Sequence, residues 1–197
     1  MSDKQIAAFS PANPEHWRNW LERNHALTES VWLIYSKKHT GIPTVTWSET
    51  VDEALCFGWI DSLVRPLNDE QFMRLFTKRK PKSVWSAVNK EKVDRLIVNG
   101  RMREAGFAAI AVAKQNGSWS MLNDVDALFI PDELTEALQQ QPDADTYFSL
   151  LSNSSKKSIL QWLRMASRSE TRQKRIAEIV DCAARGTKPK AVSWSRK

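Results

Sequence analysis

Apolar residues recur along the chain with two periods, and the switch between them marks out the elements. Asn13 and Pro14 precede Trp17, Trp20 and Leu21, which fall at i, i+3 and i+4 on one face of a predicted helix. Residues 31 to 37, VWLIYSK, are short and dense in β-formers, and Thr40, Gly41 and Pro43 close them off as a strand. Thr46 and Glu49 have capping-box spacing ahead of a helix whose buried stripe is Val51, Ala54 and Leu55, with Gly58 as its stop. WIDSLVRP (59–66) and QFMRLFTK (71–78) follow as two strands around a turn at Leu67, Asn68, Asp69 and Glu70.

Ser83 is the expected cap of a helix in which Trp85, Val88, Val93, Leu96 and Ile97 fall near one stripe, and another helix carries Phe107, Ile110, Ala111 and Ala113. Beyond Gly117 the period is helical throughout. Pro131 and Pro142 stand at first helical positions, Ser154 caps a stretch with Ile159, Leu160 and Leu163, and Ile176, Ile179, Val180 and Ala183 mark a last helix before Gly186. The fold class is therefore α+β: a small, mainly antiparallel sheet packed by helices, followed by a helical C-terminal bundle. The expected units are 13–119 and 131–186, with 1–12 and 187–197 flexible.

A four-residue hairpin loop would set Pro66 opposite Gln71, Arg65 opposite Phe72, Leu63 opposite Arg74, Asp61 opposite Phe76 and Trp59 opposite Lys78. Ile60, Val64, Met73 and Leu75 would then form a core face. The other face would alternate aromatics and charges: Trp59, Asp61, Leu63, Arg65, Phe72, Arg74, Phe76 and Lys78. A single bulge would change this pairing.

Composition narrows the class of protein. The 197 residues carry nine Trp, a formal charge of +6 and a pI of about 9.4, which favours encounters with anions without choosing among nucleic acid, phospholipid and small carboxylates or phosphates. Cys56 and Cys182 are far apart, so neither a disulfide framework nor a CxxC site is indicated, and a reducing compartment follows. The first residues, MSDKQIAAFSPANPEHW, hold no apolar signal core, and no later stretch is long enough to span a bilayer; the cytoplasm is the expected location. His16, His25 and His39 are scattered without metal-ligand spacing, and no phosphate-loop or dinucleotide glycine pattern occurs, so no metal or cofactor is expected.

Aromatic faces beside fixed cations commonly hold flat or anionic ligands, and residues 52–89 combine them most densely. The candidate ligand-binding residues are Trp59, Asp61, Arg65, Arg74, Lys78, Arg79, Ser83, Trp85 and Asn89. Asp61 pairs with Arg65 or Arg74, or serves as a general base if desolvated. Arginine grips carboxylate or phosphate by paired hydrogen bonds, and an indole stacks a base or covers a guanidinium. Ser83 and Ser86 offer hydroxyls at a helix start, and Asn89 lies one turn further on.

The blocks DEALCFGWID (52–61), RLFTKRK (74–80), SVWSAVN (83–89), GRMREAG (100–106) and SETRQKRIAEIV (169–180) resemble the YdeI/OmpD-associated family, the bacteriocin-protection proteins, over most of residues 14 to 190. Many relatives have Gly where this chain has Ser62, and Pro where it has Lys78. The resemblance implies a link to bacteriocin or cationic-peptide protection and stress response, and no particular reaction. Three readings stand side by side: a binder of an anionic or aromatic small molecule, a nucleic-acid binder using the KRKPK loop (78–82) and the basic C-terminus, and an enzyme with Asp61 as acid or base. A homo-oligomer is compatible with all three.

Overall fold

Asn13 caps the first helix, α1 (Pro14–Asn24), by accepting from the His16 amide at 2.8 Å, and Pro14 sits at its first turn, where a missing N–H costs nothing. The computed structural model that contains it describes residues 6–193; the expected flexible ends lie partly outside those residues, at 1–5 and 194–197. Inside the expected leader, however, Ala8–Phe9 form a short strand, β1, beside β2 (Ser30–Ser36). The Trp32 amide donates to the Ala7 carbonyl at 2.9 Å, and Phe9 packs edge-on against His16, so the sheet and α1 both hold this stretch. Thr46 and Glu49 complete the capping box of α2 (Trp47–Cys56).

The hairpin strands are β3 (Trp59–Pro66) and β4 (Gln71–Lys78), and the sheet order is β1-β2-β4-β3, with β1 parallel to β2 and the rest antiparallel. The register follows expectation at the open end of the hairpin, where Trp59 faces Lys78 and Asp61 faces Phe76. Between Asp61 and Val64 it slips by one residue, so that Val64 faces Arg74 and Arg65 faces Met73. An extra residue in β3 at this bulge moves everything toward the turn to the opposite face.

The core lies on the face that alternates aromatics with charges, a reversal of the expected one. Val31, Leu33, Tyr35, Phe76 and Trp59 are buried there with Trp17 and Leu21 of α1 and Val51, Ala54 and Leu55 of α2. Val64, expected in the core, is 50% exposed, and Ile60, Met73 and Leu75 are only half-buried. The reason lies in β2: its buried Val31, Leu33 and Tyr35 pair with Phe76, Arg74 and Phe72, so the helices must cover that side.

Ser86, rather than Ser83, caps the next helix, α3 (Ala87–Val98), and α4 (Glu104–Gln115) ends this unit. Two glycines let α4 approach the end of α2. Gly58 has a φ of +72°, and a Cβ there would lie 2.8 Å from the Ala105 carbonyl oxygen; a Cβ on Gly106 would lie 2.4 Å from the Cys56 carbonyl oxygen.

The chain divides into two compact units, Met1–Ser120 and Met121–Lys197. The second is helical: α5 (Asn123–Asp126), α6 (Asp132–Gln139), α7 (Pro142–Leu150), α8 (Asn153–Arg164) and α9 (Ser169–Ala184). Its core holds Leu134, Leu138, Ala144, Phe148, Ile159, Leu160, Leu163, Ile179 and Ala183. Ser152 caps α8 in place of Ser154, and Pro131 precedes α6 as its N-cap, whereas Pro142 opens α7. Among the described residues no helix is long and apolar enough to cross a membrane.

Gly106→Ala is expected to lower the unfolding free energy by about 1 to 3 kcal/mol, the usual cost of overpacking, since the obstacle is backbone and cannot swing aside. Urea unfolding of the variant against the parent chain measures it; an unchanged midpoint would show that α4 does not need the close approach.

Candidate functional site

The acids of the segment 52–61 are each fixed by cations from other elements. Asp52 on α2 takes Lys92 and Arg95 of α3, both at 2.5 Å. Glu53, one residue on, is buried and takes Arg18 of α1 at 2.7 Å and Arg101 at 2.6 Å; Arg18 also donates to the Arg101 carbonyl and lies over the Phe57 ring. A buried carboxylate with two guanidinium partners satisfies its hydrogen-bonding capacity and ties α1, α2 and the turn before α4 together. Beside it, burial pushes the Cys56 thiol up, with Glu53 adding to the shift, so Cys56 is a protonated packing residue rather than a nucleophile.

Asp61 holds a second cluster. Arg74 sits diagonally across the β3–β4 pair and donates to Asp61 Oδ2 at 2.6 Å, while Trp47, at the first turn of α2, donates its indole N–H to the same oxygen at 2.9 Å. The Arg74 guanidinium also lies 5.2 Å from the Trp47 ring centroid. Behind them Tyr35 stacks on Phe72 at 5.0 Å and bonds Thr50; burial pushes its phenol up to about 12 against the pull of the Thr50 bond. Asp61 is thus a fixed counter-ion with its geometry set by an arginine and an indole.

Arg79 is held differently. Its backbone amide donates to Gly58 at 2.9 Å, continuing the strand past Lys78, and its guanidinium carbon lies 3.6 Å from the centroid of the buried Trp85 ring. Nη1 donates to the Val84 carbonyl, but Nε and Nη2 are buried without a partner. Burial pushes this guanidinium down to about 10, with the Asp61 charge pulling the other way. Arg79 lines a cavity of about 190 Å³ together with Lys80, Pro81, Trp85 and, from α4, Ala108, Ala109, Val112 and Ala113. Trp119 tilts against Trp85 on this side, and Asn116 and Ser118 hold the Pro81 carbonyl, fixing the rim loop.

The other candidates disperse. Trp59 is fully buried in the core, edge-on to Trp20, with its indole nitrogen unpartnered. Arg65, displaced by the bulge, lies over Trp32 on the opposite face of the sheet. Lys78 binds Glu29 and the Ala26 carbonyl, away from the cavity. The Ser83 amide closes a turn onto Lys80, and the Asn89 amide receives the Ser86 cap. Hence Asp61 with Arg74, and Arg79 with Trp85, form the two groupings; Trp47 and the alanine-rich wall of α4 are additions the sequence reading did not make. The recurrence of small residues at i, i+3 and i+7, Gly106, Ala109 and Ala113, was the available signal for a close approach by α4.

In the second unit the cations of the basic C-terminus are largely engaged. Arg172 pairs with Glu133, Lys174 with Glu170 and Arg185 with Asp181, while Arg175 bonds the Trp162 carbonyl and covers its ring.

Removing the two kinds of charge should have opposite effects. Asp61→Asn strips Arg74 of its partner and is expected to cost about 1 to 3 kcal/mol of stability. Arg79→Met removes a buried cation with no carboxylate partner and is expected to leave stability unchanged or raise it by up to about 2 kcal/mol, even with the loss of the indole contact. Denaturant titrations of both variants check this; a strongly destabilised Arg79→Met would show that Arg79 is an internal strut.

Two family models match the chain. Residues 9–109 match one described as "Domain of unknown function (DUF8412)", and residues 127–186 match one described as "Bacteriocin-protection, YdeI or OmpD-Associated". The blocks between 52 and 106 fall inside the first match and the block 169–180 inside the second. No curated protein and no solved structure matches. Residues 127–186 resemble the bacteriocin-protection, YdeI or OmpD-associated proteins over that segment, and since the first match takes in just over half of the 197 residues, the chain belongs to the DUF8412 family.

Proposed function

We propose that the N-terminal unit is an oxyanion-binding module whose ligand is held by Arg79 beside Trp85. One observation carries the reading: Arg79, which lines a cavity, has Nε and Nη2 buried without a partner, so that its bond to Val84 and its indole contact offset the burial only in part. Nε and Nη2 form one edge of the guanidinium fork, whose parallel N–H bonds match the two oxygens of a carboxylate or phosphate. Trp85 covers one face of the cation, and Lys80 adds positive charge at the rim.

Arg74 serves this module from the neighbouring cluster. Its charge is taken up by Asp61, so Arg79 is left as the cation available to a ligand. The two unpaired thiols, Cys56 and Cys182, suit a reducing compartment, and a cytoplasmic location belongs to the proposal. The protective role against bacteriocins named for the C-terminal family is the physiological setting this reading adopts, with ligand binding by the first unit and the helical second unit in one chain.

Thermal unfolding with millimolar acetate, phosphate and sulfate, with chloride as the ionic-strength control, tests the module. Saturation by a ligand at about 100 times its Kd stabilises a protein by about 2.7 kcal/mol, which moves Tm by several degrees. At least one oxyanion should raise Tm in the parent chain and none in Arg79→Met. Equal shifts in both proteins would refute Arg79 as the binding residue.

A further inference from the structure

The Arg79 cavity has a chemistry narrower than oxyanion binding in general. Among the described residues its only charged side chains are Arg79 and Lys80; the rest of the lining is Pro81, Trp85, Ala108, Ala109, Val112 and Ala113. Val84 already occupies Nη1, so the guanidinium offers one edge of two donors. A carboxylate places both of its oxygens on such an edge. A phosphate monoester has a third oxygen, which in this cavity would meet alanine, valine or indole and lose its hydration without replacement.

Volume restricts the remainder of the ligand. A cavity of about 150 Å³ with apolar walls accepts one benzene ring, and this one measures about 190 Å³. The α4 part of the lining, Ala108, Ala109, Val112 and Ala113, is small and apolar, which suits an aromatic or branched body. Ala108 is exposed at the rim, whereas Ala113 is buried, so the cavity runs inward from the surface of the helix.

We infer that the Arg79 site takes a monocarboxylate carrying a compact apolar body of about one aromatic ring, a conclusion that rests on the oxyanion-binding reading and specifies its ligand. The carboxylate lies on Nε and Nη2, and the body lies between Trp85 and the Ala108, Ala109 and Val112 wall.

Fluorine NMR titrations of the full chain with para-fluorobenzoate, para-fluorophenyl phosphate, para-fluorobenzyl alcohol and fluoroacetate separate the requirements. The benzoate should bind at least tenfold more tightly than each of the others. Arg79→Met should abolish its binding, and Ala108→Leu, at an exposed position that tolerates the change, should weaken it at least tenfold by filling the mouth of the cavity. Equal or tighter binding of the phosphate, lost in Arg79→Met, overturns the carboxylate assignment and leaves the oxyanion module intact. Equal binding of fluoroacetate overturns the apolar body alone. Benzoate binding that survives Arg79→Met, in a variant whose circular dichroism is native, overturns both the ligand class and the module.

Discussion

The close approach of α4 to the junction of α2 and β3 is the constraint on which the first unit depends. Gly58 and Gly106 are the only side-chain-free positions at that contact, and neither could carry a Cβ without meeting backbone. The contact also sets the hydrogen bonds around it: Arg103 donates to the Cys56 carbonyl and Arg79 to the Gly58 carbonyl. Through those two bonds the same few residues fix where α4 starts and where the Arg79 side chain leaves the sheet. Ala109, whose Cβ lies 3.1 Å from where a Cβ on Gly58 would stand, then forms part of the cavity wall, with Ala108 beside it at the exposed rim. The cavity is thus a product of backbone packing first and of charge second.

Charge placement follows a consistent rule among the buried and half-buried groups. Asp52, Glu53 and Asp61 each receive two donors from distant parts of the chain, which offsets their desolvation and pins α1, α2, α3 and the hairpin to one another. Arg79 departs from that rule, since its partners are an indole face and one carbonyl. Asp52, Glu53 and Asp61 are balanced by charges or donors nearby, whereas Arg79 has no carboxylate partner among the described residues.

Much of this was legible in the sequence. The caps at Asn13 and Thr46 and the proline at α7 are local signals, and both hairpin strands fell at their expected residues because β-formers and turn residues bound them tightly. The sheet's core side was misjudged for a physical reason: Asp61 and Arg74 neutralise one another, so a face that reads as polar packs as though it were not. The bulge after Asp61 leaves no mark in the composition of a single strand, yet it carried Arg65 to the far side of the sheet. The pairs Arg18 with Glu53 and Trp47 with Asp61 join positions far apart in the chain, beyond the reach of any periodicity. Ser83 and Ser86 are equally good caps by residue type, and only the turn from Lys80 decided between them.

The bulge sets the partners that Asp61 takes. Before it, β3 and β4 keep the register in which Asp61 faces Phe76, so the carboxylate reaches diagonally to Arg74 on the buried face. After it, the strand turns its remaining side chains over, and Arg65 is removed from competition for Asp61. Had the regular register continued, Arg65 would have shared that face and a second arginine would have stood beside a single acid. The slip leaves Asp61 bound to Arg74 and Trp47. A local irregularity in the hairpin therefore decides which arginine pairs with Asp61.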